Sequence, residues 1–564
     1  MTSVDNIQSI VSNMSLQEQV LELLMLDVRY FTNDEEKVYP LTCLPSEIKA
    51  ILNEYPVGGA ILFRENIAQL ADVVKLTDDL QKNVKFGRLI AIDQEGGSVT
   101  RIHSATEMPG NMALGAINDV LVTSQASQTL ATELDALGFN FMFSPVLDVN
   151  SNPQNPIVGV RSFGKDPELV ARHGVAYCDG LNREDMIACG KHFPGHGDTD
   201  VDSHHDLPLI RKSLSEFEQV DLVPFKVAVA ANIDSLMTAH IVFPDLDSGE
   251  ILSSKTKKMI QTPATLSKKI MTDLLRNQMQ YQGVIVSDAL DMKAISDNFT
   301  PVEATLNCIA AGVDLILMPI RLWSKENILE FRKYMTDLVT ACQNSELLKQ
   351  RVFESCCRII ELKQRKVLPK LMAQASFEER LKRVQELVYC EKHQQLQQEI
   401  AAKAVTLAKN ENNILPWASK LDEAILLIAA NDAVAHDATN ALKGLGYSNV
   451  VVKSIEQEFK LEELKQFSKV IVLSYNLNPT TALPFNFVIN LLQQGDISHI
   501  VLSCHNPYDS LYLENVSTLV LAFGCSGLDQ TNYSIRKFEL NMSQAIKKIM
   551  TAKSLSEFNT HLPV

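Results

Sequence analysis

Eight short, nearly uninterrupted apolar runs recur through about the first 320 residues, and this rhythm constrains the chain more than any other feature. They start as LELLMLDV at Leu21, GGAILF at Gly58, RLIAID at Arg88 and FNFMFSPVLDV at Phe139. The series continues with MIACGKHF at Met186, SLMTAH at Ser235, GVIVSDA at Gly283 and GVDLILM at Gly312. Each run is continuous rather than alternating, as expected of a strand covered on both faces of a parallel sheet. Helical periodicity fills the intervals, for example over residues 70–84, 122–137 and 216–230. Eight strands alternating with helices predict the α/β class and an N-terminal (β/α)8 TIM-like barrel. A doubly wound open sheet carries the same local signature, and periodicity does not separate the two.

Beyond Met318 the pattern changes. A long helical region over residues 325–366 and a charged helical stretch over 376–409 lead into a second set of apolar runs. These are AILLIAA at Ala424, KVIVLSY at Lys469, HIVLSC at His499 and LVLAFG at Leu519. They predict a C-terminal α/β sandwich domain. The expected division is a catalytic barrel over 1–368, a helical linker over 369–400 and the sandwich over 401–564.

Composition narrows the function classes. A net charge of -16 supplies no basic face for a nucleic-acid partner. No stretch approaches the ~20 apolar residues of a membrane span, and MTSVDNIQSIVSNM lacks the build of a signal peptide. The ten cysteines are scattered, and the adjacent pair Cys356-Cys357 suits neither a zinc site nor a local disulfide. A cytoplasmic protein with reduced thiols is the expectation.

Reactive side chains gather directly after the apolar runs: Asp93 to Gly97, Lys191-His192, His240 and Asp288. In a barrel these positions form the face that carries the active site. The densest segment is KHFPGHGDTDVDSHHDLP, Lys191 to Pro208, with four histidines and four aspartates in a loop shaped by proline and glycine. Two chemistries could use it. One is metal binding by His192, His196, Asp198, Asp202, His204 and His205, although neither HxHxDH nor HExxH occurs. The other is acid/base catalysis by His204, held by Asp202 two residues earlier on the same side of an extended loop. The second is preferred, and neither a metal nor another cofactor is expected.

The same loop resembles the signature loop of bacterial β-N-acetylglucosaminidases of glycoside hydrolase family 3. AIDQEGGSVTR, RSFGKDP, MTAHIVFPDLD and VSDALDMKAI occur in that family's order across most of the N-terminal half. The resemblance implies a retaining exo-β-N-acetylglucosaminidase with Asp288 as nucleophile, His204 as acid/base and Asp202 as its orienting partner. Asp93, Arg101, Arg161, Lys191 and His192 match substrate-binding positions. Asp291 does not match and reads as an acid near a helix start. The alternative for Arg161 is a surface ion pair with Asp166 or Glu168. His240 is either a pocket-lining or a satisfied core histidine.

The implied substrate is terminal non-reducing β-linked GlcNAc, in muropeptide fragments or oligosaccharides. A phosphorylase with the same residues is the near alternative, since a deprotonated histidine would not repel phosphate. A metal-dependent barrel hydrolase stands further off. The C-terminal domain resembles the family's sandwich and is expected to be dispensable for the chemistry. The chain is expected to work as a monomer or homodimer.

Overall fold

The computed structural model describes residues 3–32, 36–199, 207–373, 375–417, 420–524 and 539–564. All eight predicted N-terminal strands form: β1 (Leu24–Asp27), β2 (Gly59–Ile61), β3 (Leu89–Ile92), β4 (Phe141–Met142), β5 (Ile187–Phe193), β6 (Ser235–Thr238), β7 (Val284–Val286) and β8 (Ile316–Leu317). Neighbours pair in parallel from β8 through β1 and onward to β7. A parallel bridge between Val286 and Leu315 joins β7 to the start of β8, so the sheet closes on itself. The chain therefore forms a barrel, not an open doubly wound sheet. Every residue of these strands is buried, which is why their sequences show no alternation.

The helices follow local signals. The predicted 70–84 and 122–137 segments form as Leu70–Gln81 and Val120–Ala136, whereas 216–230 divides into Leu214–Gln219 and Leu222–Ala230. The region 325–366 is two helices, Lys325–Gln343 and Glu346–Lys366, each opened by a serine whose hydroxyl accepts an amide of the first turn. The charged stretch 376–409 also divides, into Phe377–Leu387 and Glu391–Ala404, and its last residues turn into a strand.

That strand is β9 (Thr406–Asn410). It opens a second sheet with β10 (Ile425–Ala429), β11 (Val450–Ser454), β12 (Lys469–Ser474), β13 (His499–Ser503) and β14 (Thr518–Leu521). The order is β9-β14-β13-β12-β10-β11, parallel except at the antiparallel β9 edge. Leu426 and Ile428 enter one apolar layer while Ile425, Leu427 and Ala429 enter the other. The sheet is thus covered on both faces, as a sandwich requires. Sequence pattern alone missed the two edge strands. β11 is only partly buried along its length and β9 carries Lys409 and Asn410, so neither presents an unbroken apolar run.

Two compact units result, and they do not follow chain order. One holds Met1–Gln94, Ser127–Val158 and Val170–Cys390; the other holds Glu95–Ala126, Gly159–Leu169 and Glu391–Val564. In the second unit Met112, Ala113, Ala116 and Val160 share an apolar layer with Leu426, Val472 and Phe485.

Candidate active site

In the first unit the carboxyl ends of the strands carry the reactive groups. Asp93 follows β3 directly, and its Oδ1 accepts from Lys191 Nζ at 2.7 Å. Lys191 is drawn into place by irregular pairing. Its amide donates to Pro145 O at 3.1 Å and its carbonyl accepts from Leu147 N at 2.6 Å, while the β5–β6 register shifts between Gly190 and Phe193. The ammonium is buried, 3% exposed, beside an Asp93 side chain that is 18% exposed. Such a pair is retained at a desolvation cost, which marks it as a site of interest.

One residue on, His192 Nδ1 donates to Asp148 Oδ2 at 2.7 Å, and its amide donates to Oδ1 of the same carboxylate at 3.0 Å. The His196 amide adds a third donor to Asp148 at 2.8 Å. Burial works to raise Asp148, but His192 and its hydrogen bonds outweigh it and hold the acid below the usual carboxylate range. The carboxylate fixes the His192 ring with Nε2 turned away from it. His196 has the opposite fate. Burial, with His192 alongside, pushes it down to about 4, and its Nδ1 lies 3.0 Å from Thr199 Oγ1. The approach to the histidine-rich loop is also packed tightly, since a Cβ on Gly197 would stand 1.7 Å from Val149 O.

Asp288 lies two residues beyond β7 and is half-buried. Its Oδ1 accepts from the Ala289 amide at 2.8 Å, and its own amide donates to Thr238 Oγ1 at 3.3 Å. Strand pairing and hydrogen bonds bring the strand ends together: Lys191 reaches Asp93, Phe193 pairs with Thr238, and Thr238 accepts from the Asp288 amide. Burial pushes the Cys189 thiol on β5 up to about 12, with Lys191 opposing and both Asp93 and Asp288 adding to the rise. His196 also feels Asp288. Groups after β3, β5 and β7 therefore share one region of the barrel's carboxyl face. Asp291 lies outside the following helix, Lys293–Ser296, and pairs with Arg321 at 3.2 Å. His240 is buried, with Nδ1 2.8 Å from Thr265 Oγ1 and Nε2 3.0 Å from Ala289 O. Its surroundings are those of a satisfied core histidine that adjoins the Asp288 segment.

Arg161 and Arg101 belong to the second unit. Arg161 makes a two-pronged pair with the buried Glu95, Nε to Oε2 at 2.9 Å and Nη2 to Oε1 at 2.7 Å. Its partner is therefore neither Asp166 nor Glu168. Arg101 is buried. Asp202 and His204 lie outside the described residues. Among the described residues no three histidine, cysteine, aspartate or glutamate side chains group as metal ligands; His205 of the metal alternative also lies outside them.

Two carboxylates gain a role only in the structure: Asp148, which sequence does not single out, and Glu95, which sequence places in the Asp93–Gly97 cluster without a role. Asp148 is the penultimate residue of the FNFMFSPVLDV run, so its place near the end of an apolar run was a usable signal. A further acid at such a position, Asp27 on β1, is buried, and burial lifts it to about 6 against the pull of Arg29 at 2.9 Å.

Comparison with known proteins gives the family. Residues 15–362 match the glycosyl hydrolase family 3 N-terminal domain. The chain is 40% identical over 410 residues to beta-hexosaminidase A of Pseudoalteromonas piscicida, covering 70% of this chain and 67% of that one. A beta-hexosaminidase of Chromobacterium violaceum is 36% identical over 277 residues, which is 48% of this chain and 74% of that protein. Among solved structures, a family 3 beta-N-acetylglucosaminidase from Paenibacillus sp. str. FPU-7 superposes with a TM-score of 0.75 at 30% identity, covering 98% of each chain. The chain belongs to glycosyl hydrolase family 3 and is a glycoside hydrolase.

Proposed function

We propose that the protein is a retaining exo-β-N-acetylglucosaminidase that removes terminal non-reducing GlcNAc, with Asp288 as nucleophile. The observation that carries this reading is the place and setting of Asp288 at the carboxyl end of β7. Its carboxylate is oriented by the Ala289 amide, in the same region as the Lys191–Asp93 pair. The names of the relatives support the sugar.

In the first step the Asp288 carboxylate attacks the anomeric carbon while His204, oriented by Asp202, donates a proton to the departing glycosidic oxygen. A covalent glycosyl-enzyme and a free aglycone alcohol result. In the second step His204 takes a proton from water, whose oxygen displaces Asp288 from the anomeric carbon and restores the β configuration. Asp93, Lys191 and His192 bind the sugar hydroxyls, with Arg161 and Arg101 as further binding residues. Muropeptide fragments such as GlcNAc-1,6-anhydro-MurNAc are the proposed substrates, and the cytoplasm the proposed compartment. Support for a reducing compartment comes from nine described cysteines, all free thiols. No helix among the described residues is long and apolar enough to cross a membrane.

The test is turnover of an aryl β-N-acetylglucosaminide by wild type, Asp288→Ala and His204→Ala, with EDTA and phosphate controls and product anomer analysis. Retention, severe slowing of both variants and indifference to EDTA are expected. A sugar phosphate formed with phosphate would make the enzyme a phosphorylase. Full activity in Asp288→Ala would sink the assignment.

A further inference from the structure

The backbone of Asp288 and Ala289 is held at both ends, at the Asp288 amide and the Ala289 carbonyl, by one buried chain of hydrogen bonds. Asp288 N donates to Thr238 Oγ1 at 3.3 Å, and Thr238 Oγ1 lies 2.8 Å from Thr265 Oγ1. Thr265 Oγ1 in turn lies 2.8 Å from His240 Nδ1, and His240 Nε2 lies 3.0 Å from Ala289 O. Thr238 and Thr265 are fully buried and His240 is 1% exposed, so solvent does not supply substitutes.

The carbonyl of Ala289 can only accept, so His240 carries its ring proton on Nε2, and Nδ1 accepts from the Thr265 hydroxyl. Thr265 then accepts from Thr238, which accepts from the Asp288 amide. With Thr265 donating to His240 the donors run in a single sense through the circuit, and in a low-dielectric interior such bonds strengthen one another. Ala239 O, 3.0 Å from Thr265 Oγ1, is the competing acceptor for that one hydroxyl proton. Sequence explains the assembly. Thr238 ends β6, and His240 follows two residues on. Thr265 sits in the turn Ala264–Leu266, which is drawn alongside when Ala264 N donates to Ile241 O at 2.8 Å.

We infer that Thr238, Thr265 and His240 are positioning residues that fix the backbone of Asp288 and Ala289, and through the Ala289 amide the Asp288 carboxylate, for attack on the anomeric carbon. The inference rests on Asp288 being the nucleophile. A misplacement of about 1 Å costs an enzyme on the order of a hundredfold, and the ground-state contacts to the sugar come from other strands. Losing the circuit therefore lowers kcat and leaves KM nearly alone.

The experiment compares Thr265→Val and Thr265→Ser on an aryl β-N-acetylglucosaminide, with GlcNAc inhibition measured alongside. Thr265→Val is expected to lose about 10- to 100-fold in kcat with KM and the GlcNAc inhibition constant within about threefold, and Thr265→Ser to recover most of the loss. If Thr265→Val does not fold, Thr238→Val breaks the circuit at its other hydroxyl and carries the same expectation. Wild-type kcat in a valine variant overturns the inference, as does a Thr265→Ser enzyme as slow as Thr265→Val. Azide added to Asp288→Gly separates the underlying reading. If Asp288 is the nucleophile, azide restores turnover and gives the glycosyl azide of inverted configuration. An Asp288→Gly enzyme active without azide defeats the nucleophile assignment, whatever the threonine variants do.

Discussion

Both ends of the barrel carry buried charge, yet they put it to different use. At the amino ends, Glu22, Asp234 and Asp314 stand just before β1, β6 and β8. Asp314 accepts from Ile285 N at 2.9 Å, Ser355 Oγ at 2.7 Å, Arg358 Nη1 at 3.1 Å and also Arg276. Burial raises this acid, but the three surrounding arginines prevail and hold it below the usual range. Asp234 meets both Arg365 and Lys366, and Glu22 meets Lys363. All three carboxylates reach the helix Glu346–Lys366, and Asp314 also bonds β7 across the seam where β7 meets β8. At the carboxyl ends the charges sit on loops and strand tips, with Asp93 and Asp288 partly exposed and with acids and imidazoles in place of arginine cages. Buried charge alone does not identify a site; the end of the barrel on which it stands does.

The contrast is broken most sharply by exchanging the consequences of two alanine substitutions. Asp288→Ala should lower kcat by at least about a thousandfold while its melting temperature stays near that of wild type. Asp314→Ala should do the reverse. It strands several arginines in the seam and should cost about 3–5 kcal/mol of stability by denaturant unfolding, with kcat per folded molecule unchanged. Equal catalytic damage from both would erase the distinction between the ends.

His196 offers a pH version. Its folded value near 4 lies below the ordinary 6.5, so between these values the unfolded chain holds a proton that the folded chain does not. Its contribution to stability therefore rises with pH across that window and is lost as pH falls, up to about 3 kcal/mol in all. Asp27, Asp221 and Asp509, each lifted by burial to about 6, act in the opposite sense over much of the same range. The measurement is thus a difference: the pH dependence of unfolding in His196→Asn minus wild type, which should lose that slope. The smallest effect is expected at Glu22 and Lys363. Replacing both together, Glu22→Leu with Lys363→Met, removes both charges of the pair and leaves only the buried Arg88 without the acid that supports it, so it should cost less stability than Asp314→Ala, with unchanged kcat.

Much of this was legible in the chain. All eight barrel strands announced themselves because burial on both faces leaves no polar alternation, and Asp93, Lys191, His192 and Asp288 stood out because they follow such runs. What pairs with what was not legible. Asp148 meets His192 from 44 residues away and Glu95 meets Arg161 from 66. Local inspection offered Arg161 only its sequence neighbours. The Thr238–Thr265–His240 circuit was equally hidden, since it depends on a turn folding back along the strand that precedes it.

The apolar layer that joins Met112, Ala113, Ala116 and Val160 to the C-terminal sheet bears on how the protein can be made and divided. Those side chains leave the ribosome long before Leu426 or Phe485. At roughly 5–20 residues per second they wait tens of seconds for the surface that covers them. During that interval the nascent chain exposes apolar surface that chaperones would be expected to shield. The same feature makes the second unit a poor candidate for deletion. Cutting the chain near Cys390 leaves the segments 95–126 and 159–169 behind without their core, so a shortened enzyme would have to replace that apolar surface with polar side chains before it could stay in solution.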